Sequence, residues 1–261
     1  MRDSKLVRGK GVFITGTDTG VGKTVVSGSI AAGMRTLGIN VGVMKPFQTG
    51  AVKFGEQWIA PDADFLKAAA GVDDEIELIS PIMLEAPLAP SVAASLVGRL
   101  VTVDEVLPAY DELCSRHEFM IVEGAGGLAV PIGGTATMRD LAAALGLPIL
   151  IVVRPGLGTI NHTFLTVEYA KAACLDILGI VISNFPDEPD LAEKTNPEEI
   201  ARLIDVPVHV LRRLEDVDTE DNKTSKKLIT ESADALLARL VGVVLDGNKL
   251  AGHLMDIDDE S

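Results

Sequence analysis

The sequence is poor in the residues that form disulfides and hold metal ions. It has two cysteines, Cys114 and Cys174, and four scattered histidines among 261 residues. Two cysteines cannot make a disulfide framework, and neither lies in a Cys-x-x-Cys or Cys-x-x-His spacing. The histidines show no metal-ligand spacing. These absences exclude a disulfide-rich secreted domain and argue against a zinc enzyme.

Long apolar runs are also missing. The longest, Leu141–Val153, contains Gly146 and Pro148 and is shorter than the about 18–20 residues that a membrane helix needs. The segment Met1–Lys10 is charged and lacks the apolar stretch of a signal peptide. We therefore expect a cytoplasmic protein that does not enter a membrane.

Positive charge is scarce compared with negative charge. Lys and Arg total 23 against 38 Asp and Glu, a formal net charge of -15. This balance argues against a nucleic-acid partner, because nucleic acids are themselves anionic. Hydrophobic residues make up 47%, which is ordinary for a globular fold. We expect a single domain over residues 1–261 with a flexible acidic tail over residues 255–261.

Short apolar runs alternate with helical patterns along the chain. Six runs are predicted to be strands: Gly11–Gly16, Val41–Pro46, Glu118–Gly127, Leu147–Gly156, Asp176–Phe185 and Val206–Leu211. Helical patterns cover Val25–Leu37 and about Ile160–Ala173. Continuous apolar runs suit strands that are covered on both faces, and strands alternating with helices favour a parallel sheet. The prediction is an α/β fold, a parallel sheet flanked by helices.

The strongest motif is GTDTGVGKT, Gly16–Thr24, between the first predicted strand and the first predicted helix. The free N–H groups of a helix N-terminus attract anions, and glycines let the backbone approach phosphates closely. Lys23 would then reach the terminal phosphates, and the hydroxyl of Thr24 would bind Mg²⁺. Five residues, not the common four, separate Gly16 from Gly22, so the motif is assigned by its context.

Lys45 directly follows the second predicted strand, and Thr49 lies four residues further on. Open α/β sheets bind ligands at the carboxyl ends of their strands, which makes Lys45 a candidate binding residue. By itself, a lysine at such a place is more often a surface charge, and Thr49 is compatible with an ordinary turn.

Glu123 ends the apolar stretch FMIV and is followed by a glycine-rich loop. In phosphate-loop proteins a carboxylate at this place commonly contacts the metal, and such a loop can bind an anion. Asp62 and Asp64 lie where a helix begins. Either could cap that helix or supply a second metal carboxylate, and the pattern leaves both open.

The segment GLGTINHTFLT, residues 156–166, follows a strand and opens a helix. Its Thr159, Ile160 and Asn161 would lie at a second exposed helix N-terminus, a place that suits a carboxylate. An ordinary helix cap explains the same pattern equally well.

Taken together, GTDTGVGKT, KPFQTG, VEGAGG and GLGTINH resemble the dethiobiotin synthetase family, over about Val12 to Asn184. The resemblance implies a P-loop NTPase-like ligase of biotin biosynthesis that closes the ureido ring of dethiobiotin from 7,8-diaminopelargonic acid and CO₂. One amine becomes a carbamate, whose oxygen attacks the γ-phosphate of ATP to give a carbamic–phosphoric anhydride and ADP. The second amine then closes the ring and expels phosphate. The resemblance also implies Mg²⁺ and a homodimer with its sites at the interface.

The family motifs assign roles to individual residues. The catalytic residues implied are Lys45, Lys23 and Thr19. The metal set implied is Thr24, Asp62 and Glu123. ATP would be bound by Gly20, Val21, Gly22, Lys23, Thr24, Val25, Asp62, Glu123, Gly124, Ala125, Gly126 and Asn184. The diamine substrate would be bound by Thr19, Lys45, Thr49, Gly126, Thr159, Ile160 and Asn161.

The base-binding side departs from the family pattern. The resemblance assigns the adenine contact to Asn184, with Ser183 as the alternative if the strand is one residue longer. Where the family has an Ile-Pro stretch, this chain has Leu211, Arg212 and Arg213. We expect ATP to be the nucleotide, although these residues do not by themselves establish selectivity for it.

Two other phosphate-loop classes remain as alternatives. A corrinoid-type amidoligase usually needs a glutamine-hydrolysing domain with a nucleophilic cysteine, and neither Cys114 nor Cys174 has that context. A partition-type ATPase typically carries a lysine early in the loop, where this chain reads TDTGVG. Both alternatives are therefore disfavoured.

Overall fold

A computed structural model of the chain describes residues 10–55 and 57–214, together with residues 242 and 244. The strands are β1 Lys10–Gly16, β2 Val41–Met44, β3 Phe47–Thr49, β4 Val52–Phe54, β5 Gln57–Ile59, β6 Ile82–Leu84, β7 Phe119–Gly127, β8 Pro131–Gly133, β9 Ala136–Thr137, β10 Ile149–Val153, β11 Ile177–Phe185 and β12 Val208–Arg212. The helices are α1 Lys23–Thr36, α2 Pro61–Ala70, α3 Ile76–Ile79, α4 Pro90–Leu96, α5 Leu107–Arg116, α6 Met138–Leu145, α7 Thr159–Lys171 and α8 Leu191–Leu203.

The main sheet has six strands in the order β12-β11-β10-β1-β7-β2, and every neighbouring pair in it is parallel. These are the six strands that the apolar runs predict, so the predicted fold class is confirmed. The ends of some strands differ from the predicted ones. The fourth predicted strand is trimmed to Ile149–Val153 because Pro148 and Pro155 flank it, and proline cannot donate to a strand ladder.

Helices cover both faces of the sheet, which is why its strands are apolar without alternation. Along β1, Val12 and Ile14 belong to one hydrophobic cluster and Phe13 to the other. The first cluster also takes side chains from α1, α2 and α3, and the second takes side chains from α5, α6, α7 and α8. Burial on both faces stabilises the sheet by removing apolar area from water on each side.

The register of three adjacent strands places the carboxyl-end residues next to one another. In the β1–β7 pair Ile14 lies opposite Glu123, and in the β2–β7 pair Met44 lies opposite Val122. Lys45, the next residue after Met44, therefore comes level with Glu123. The loop after β1 opens at the same edge, so sequence segments far apart converge there.

In the part of the chain that the structure describes, no helix has the length and apolar character needed to span a membrane. The single domain over residues 1–261 stays a prediction. The predicted tail over residues 255–261 lies outside the described residues.

Candidate active site

The loop Gly16–Thr24 connects β1 to α1, and its conformation depends on two glycines. Gly20 and Gly22 have φ angles of 73° and 93°, a region that side chains other than glycine rarely adopt. Helix α1 begins at Lys23, and no side chain among the described residues caps it. Its first N–H groups are therefore available to an anion. The Lys23 ammonium donates to the backbone carbonyl of Asp18 at 3.0 Å.

Beside this loop, one lysine lies between two carboxylates. The Nζ atom of Lys45 is 2.6 Å from Oε1 of Glu123 and 2.8 Å from Oδ2 of Asp62. The hydroxyl of Thr24 donates to the same Oε1 of Glu123 at 2.9 Å. Lys45 and Glu123 are buried, whereas the side chain of Asp62 is 31% exposed. This arrangement, Thr24, Lys45, Asp62 and Glu123, is called the catalytic-end cluster below.

The pKa values of the two lysines shift in opposite directions, although burial by itself lowers both. Burial alone would lower the pKa of Lys45, but the carboxylates of Glu123 and Asp62 outweigh it and raise that pKa above its ordinary value. Burial lowers the pKa of Lys23 from its ordinary 10.5 to about 8, with Glu123 opposing the shift and Lys45 adding to it. Lys45 is thus a permanent cation at neutral pH, and Lys23 is the one that titrates near physiological pH.

The two aspartates at the start of α2 have different partners. Burial would raise the pKa of Asp62, but Lys45 holds it below its ordinary value. Asp64, inside the first turns of α2, accepts from the backbone N–H of Ala60 at 3.1 Å. Burial raises the pKa of Asp64. Asp62 lines the cavity described next and ion-pairs with Lys45. Neither aspartate is the N-cap residue of α2, which is Ala60.

A cavity of about 670 Å³ opens in front of the phosphate loop and the catalytic-end cluster. Of the residues predicted for the site, it is lined by Thr19, Gly20, Gly22, Lys23, Thr24, Val25, Lys45, Thr49, Asp62, Glu123, Ala125 and Gly126. Three of the four sequence motifs, GTDTGVGKT, KPFQTG and VEGAGG, thus share one space with Asp62, although they are separated by up to about a hundred residues. Val21, Gly124, Thr159, Ile160, Asn161 and Asn184 are not among its described lining residues.

Part of the cavity wall was missed by sequence reasoning. Gln48, Val130 and the segment 87–90 also line the cavity. Gln48 stands inside the KPFQTG motif, and its Oε1 accepts from the N–H of Ala63 at 3.3 Å, which ties β3 to α2. The segment 87–90 reads Pro-Leu-Ala-Pro and carries no side chain with reactive chemistry. No local signal could have placed it at the site.

The residues Thr159 to Asn161 begin α7, and Gly158 precedes them with a φ of 91°. The hydroxyl of Thr159 is buried and has no hydrogen-bond partner among the described residues. A second cavity of about 580 Å³ lies further along α7, lined in part by Leu165 and Tyr169. It shares Thr19 and Val130 with the first cavity, so the two adjoin across the phosphate loop.

Ser183 and Asn184 at the end of β11 face different surroundings. The buried hydroxyl of Ser183 donates to the backbone carbonyl of Val21 in the phosphate loop. Asn184 is exposed and has a φ of 56°. The Nε of Arg213 donates to its side-chain carbonyl at 3.1 Å. The amide of Asn184, not the hydroxyl of Ser183, is the group accessible to a ligand.

Known proteins resemble this chain along most of its length. A family model described as an AAA domain matches residues 10–223. A protein of Bacillus subtilis strain 168, named ATP-dependent dethiobiotin synthetase BioD, is 48% identical over 201 residues, covering 76% of this chain and 85% of its own length. A protein of the same name from Anaeromyxobacter sp. strain K is 47% identical over 194 residues, covering 74% and 85%.

Solved structures agree on the fold. The septum site-determining protein MinD of Pyrococcus horikoshii OT3, complexed with Mg-ADP, matches with a TM-score of 0.54 at 18% identity, covering 94% of this chain and 98% of that one. A ParA family ATPase from Chlorobium tepidum TLS matches with a TM-score of 0.52 at 17% identity, covering 92% and 98%. At such identities the likeness extends to the fold alone.

Proposed function

The chain belongs to the ATP-dependent dethiobiotin synthetase family, and we propose that it closes the ureido ring of dethiobiotin from 7,8-diaminopelargonic acid and CO₂. As a family member it is an ATP-dependent ligase of biotin biosynthesis. In the proposed reaction a carbamate on one amine attacks the γ-phosphorus of ATP, and ADP leaves. The second amine then attacks the carbonyl carbon of the carbamic–phosphoric anhydride, and phosphate leaves as the ring closes.

The observation that carries this proposal is the position of Lys45. It is a buried cation, 2.6 Å from Glu123 and 2.8 Å from Asp62, and it lines the cavity into which the phosphate loop opens. A carbamate, a triphosphate and their shared transition state crowd negative charge at one place. A fixed, desolvated ammonium there offsets this charge without reorganising during the reaction.

The other lining residues have complementary roles in the proposal. Lys23 and the free N–H groups at the start of α1 bind the phosphates, because both present donors to an anion. Thr19 and Thr49 line the cavity with hydroxyl groups that can hold the carbamate or the amines by hydrogen bonds. The glycine-rich end of β7, where Gly126 has a φ of 63°, brings backbone close to the substrate.

The catalytic-end cluster fits Mg²⁺. The ion prefers oxygen ligands, and Thr24, Asp62 and Glu123 supply one hydroxyl and two carboxylates. The Oε2 atom of Glu123 is buried and has no hydrogen-bond partner among the described residues, although a buried carboxylate oxygen normally has one. We propose that these three residues hold Mg²⁺, directly or through water, and that the ion neutralises phosphate charge when bound.

We also propose that α7 binds the substrate carboxylate across a homodimer interface. Two observations support this: Asn161 is exposed in the first turn of α7, and it does not line the main cavity of its own chain. Leu157 and Leu165 are 86% and 58% exposed beside it, as expected of residues that a second subunit covers. The cytoplasmic location stays a prediction.

The reaction is tested by incubating the protein with ATP and Mg²⁺, with and without the diamine and bicarbonate. Phosphate release should require both substrates, and mass spectrometry should identify dethiobiotin as the organic product. ATP hydrolysis that is indifferent to the diamine would contradict the proposal and would favour a phosphate-loop ATPase of another class.

The shared interface is tested by mixing two defective variants. Asn161→Asp places a carboxylate against that of the substrate, so it should raise the KM for the diamine more than that for ATP. When it is mixed with Lys45→Met and the subunits exchange, hybrid dimers should regain activity, because one of their two sites contains neither change. A mixture no more active than its components, with subunit exchange shown by mass, would place the whole site within one chain.

A further inference from the structure

We propose that Arg213 is a positioning residue that makes the site select adenine, because it fixes which end of the Asn184 side-chain amide faces each neighbour. This inference rests on the proposed function and on the family resemblance, which assigns the adenine contact to Asn184. Neither the motifs of the chain nor its family resemblance assigns a role to Arg213.

The backbone of β11 brings Asn184 out of the sheet. The pairing of β11 with β12 shifts register between Ile182 and Phe185, and Asn184 lies inside this irregularity with a φ of 56°. Asparagine tolerates this left-handed conformation better than most residues do. Irregularities of this kind re-aim a side chain at a sheet edge. The conformation therefore directs Asn184 away from the ladder that its neighbours continue.

The preceding residue ties this turn to the phosphate loop. The hydroxyl of Ser183 donates to the carbonyl of Val21, and a Cβ atom on Gly22 would lie 2.6 Å from the same hydroxyl. The turn that carries Asn184 is thus held against the loop that binds the phosphates. When the phosphates of a nucleotide bind in that loop, its base must lie within a short, fixed distance of the loop.

Arg213 is anchored twice beside Asn184. Its backbone N–H donates to the carbonyl of Phe185 at 2.8 Å, which continues the ladder beyond the irregularity. Its side-chain Nε donates to Oδ1 of Asn184 at 3.1 Å. The adjacent Arg212 turns elsewhere, with its guanidinium 3.1 Å from Asp187. The contact with Asn184 therefore belongs to Arg213 specifically.

The orientation of the Asn184 amide determines which base it can hydrogen-bond. A guanidinium can donate to Oδ1 but not to the Nδ2 end of an amide, so Arg213 prevents the amide from turning over. The two Nδ2 hydrogens and the second lone pair of Oδ1 remain in a fixed order. Adenine presents an amino donor beside the N7 acceptor and matches that order, whereas guanine presents two acceptors, O6 and N7. A freely turning amide would discriminate less.

The test measures binding of ADP and GDP with Mg²⁺ by calorimetry, without the diamine. The variants are Arg213→Met, which removes the donor, and Arg213→Gln, whose Nε2 stands as many bonds from the backbone as the Nε of arginine. Arg212→Met is the matched control, because it removes the neighbouring exposed guanidinium. The thermal midpoint of each variant is recorded alongside.

We expect Arg213→Met to reduce the preference for ADP over GDP by about tenfold. Arg213→Gln should restore most of the preference, and Arg212→Met should leave it unchanged. In the Asn184→Ala background, Arg213→Met should have no further effect on the ratio, because the two residues act as one unit. If Arg213→Gln keeps the preference for ADP over GDP and Arg213→Met loses it, the loss is due to the missing hydrogen bond and not to general damage to the fold.

Several results would overturn the inference. These are equal weakening of ADP and GDP binding in Arg213→Met, an unchanged ratio in that variant, and equal loss in the Met and Gln variants. The first would mean that Arg213 acts as a charge on the phosphates. Because the diamine is absent, failure here is distinct from failure of the proposed function: selective ADP binding without dethiobiotin formation would overturn only the latter.

Discussion

Charged or polar side chains flank β2, β7 and α2 at both of their ends, and the two groups differ in how completely they are hydrogen-bonded. At the carboxyl ends of the strands lies the catalytic-end cluster, where Lys45 contacts Glu123 and Asp62. At the amino ends lies a second group, named the amino-end cluster, consisting of Asn40, Asp74, Arg116 and His117.

The side chains of the amino-end cluster are hydrogen-bonded to one another and to the backbone. Asp74 accepts from Arg116 at 3.0 Å through one carboxylate oxygen and contacts the ring of His117 at 2.7 Å through the other. The second ring nitrogen of His117 is 2.8 Å from Oδ1 of Asn40, whose amide donates to the Arg116 carbonyl at 2.9 Å. Each of these groups has a protein partner, so the cluster joins β2, β7 and α5 to the end of α2.

The catalytic-end cluster contains a buried oxygen atom with no hydrogen-bond partner among the described residues. Both of its contacts to Glu123 use Oε1, while the buried Oε2 has no described partner, and Asp62 is open to the cavity. A satisfied ionic cluster specifies structure, whereas an unsatisfied one beside a cavity has capacity left for a ligand. We therefore expect the amino-end cluster to stabilise the fold and the catalytic-end cluster to bind a ligand.

The largest expected effect comes from removing the central cation. Lys45→Met should lower the rate of dethiobiotin formation by about a thousandfold while ADP affinity changes little, because the charge that it stabilises develops during the reaction. It should also lower the free energy of unfolding by about 3 kcal/mol, since Glu123 stays buried without its cation. Product assays, ADP titration and urea unfolding measure the three quantities.

Lys53→Met provides the control for this change. Lys53 is an exposed lysine that lies over the ring of Trp58, at 5.4 Å from the ring centroid, on the β4–β5 hairpin. Its replacement should leave all three measurements unchanged. Near-normal turnover in Lys45→Met would remove Lys45 from the mechanism and with it the contrast between the two ends of the sheet.

The second effect separates the two aspartates at the start of α2. Asp62→Asn should lower turnover by about a hundredfold and raise the Mg²⁺ concentration needed for half-maximal activity, because a carboxylate that faces the cavity loses its charge. Asp64→Asn should keep both values, since Asp64 serves the backbone of Ala60. If Asp64→Asn is the more damaging change, the assignment of the metal carboxylate is reversed.

The third effect tests the amino-end cluster. Asp74→Asn turns one acceptor into a donor that faces Arg116 or His117, so the free energy of unfolding should fall by about 3 kcal/mol. The turnover of the folded variant should stay at the wild-type value. Urea unfolding and steady-state assays at a temperature well below the unfolding midpoint measure the two. A large loss of turnover in the folded variant would mean that both ends of the sheet serve catalysis.

The smallest effect is the pH dependence caused by Lys23, whose pKa is lowered to about 8. As the pH rises above 8 the free enzyme loses this cation, so ADP affinity should fall by up to about tenfold per pH unit. Stability should move the other way. The folded pKa lies below the unfolded value of 10.5, the unfolded chain binds more protons between the two, and the free energy of unfolding therefore rises with pH across that window.

Lys23→Met isolates this contribution. In that variant the ADP affinity, although weaker, should depend little on pH between 7 and 9, and the rise in stability should disappear. Calorimetry at several pH values gives the first quantity and urea unfolding gives the second. A pH dependence of ADP affinity equal to that of the wild type would assign it to another group.

Local sequence was sufficient to predict the elements that bring the site together. Continuous apolar runs predicted all six strands of the main sheet, and GTDTGVGKT predicted a loop that opens a helix. These features depend on residues close along the chain, because strand and turn preferences arise from side chains and backbone within a few positions.

The pairings within the site depended on the tertiary structure. The ion pair of Lys45 with Glu123 joins positions 78 residues apart, and it exists because β2 and β7 are neighbours in a particular register. The contact of Arg213 with Asn184 joins positions 29 residues apart, and the segment 87–90 also reaches the cavity through tertiary packing. By itself, the sequence determined which residues could do chemistry and where the strands lie. Packing decided which of them meet, because contact between distant residues follows from strand order and register, which no local preference contains.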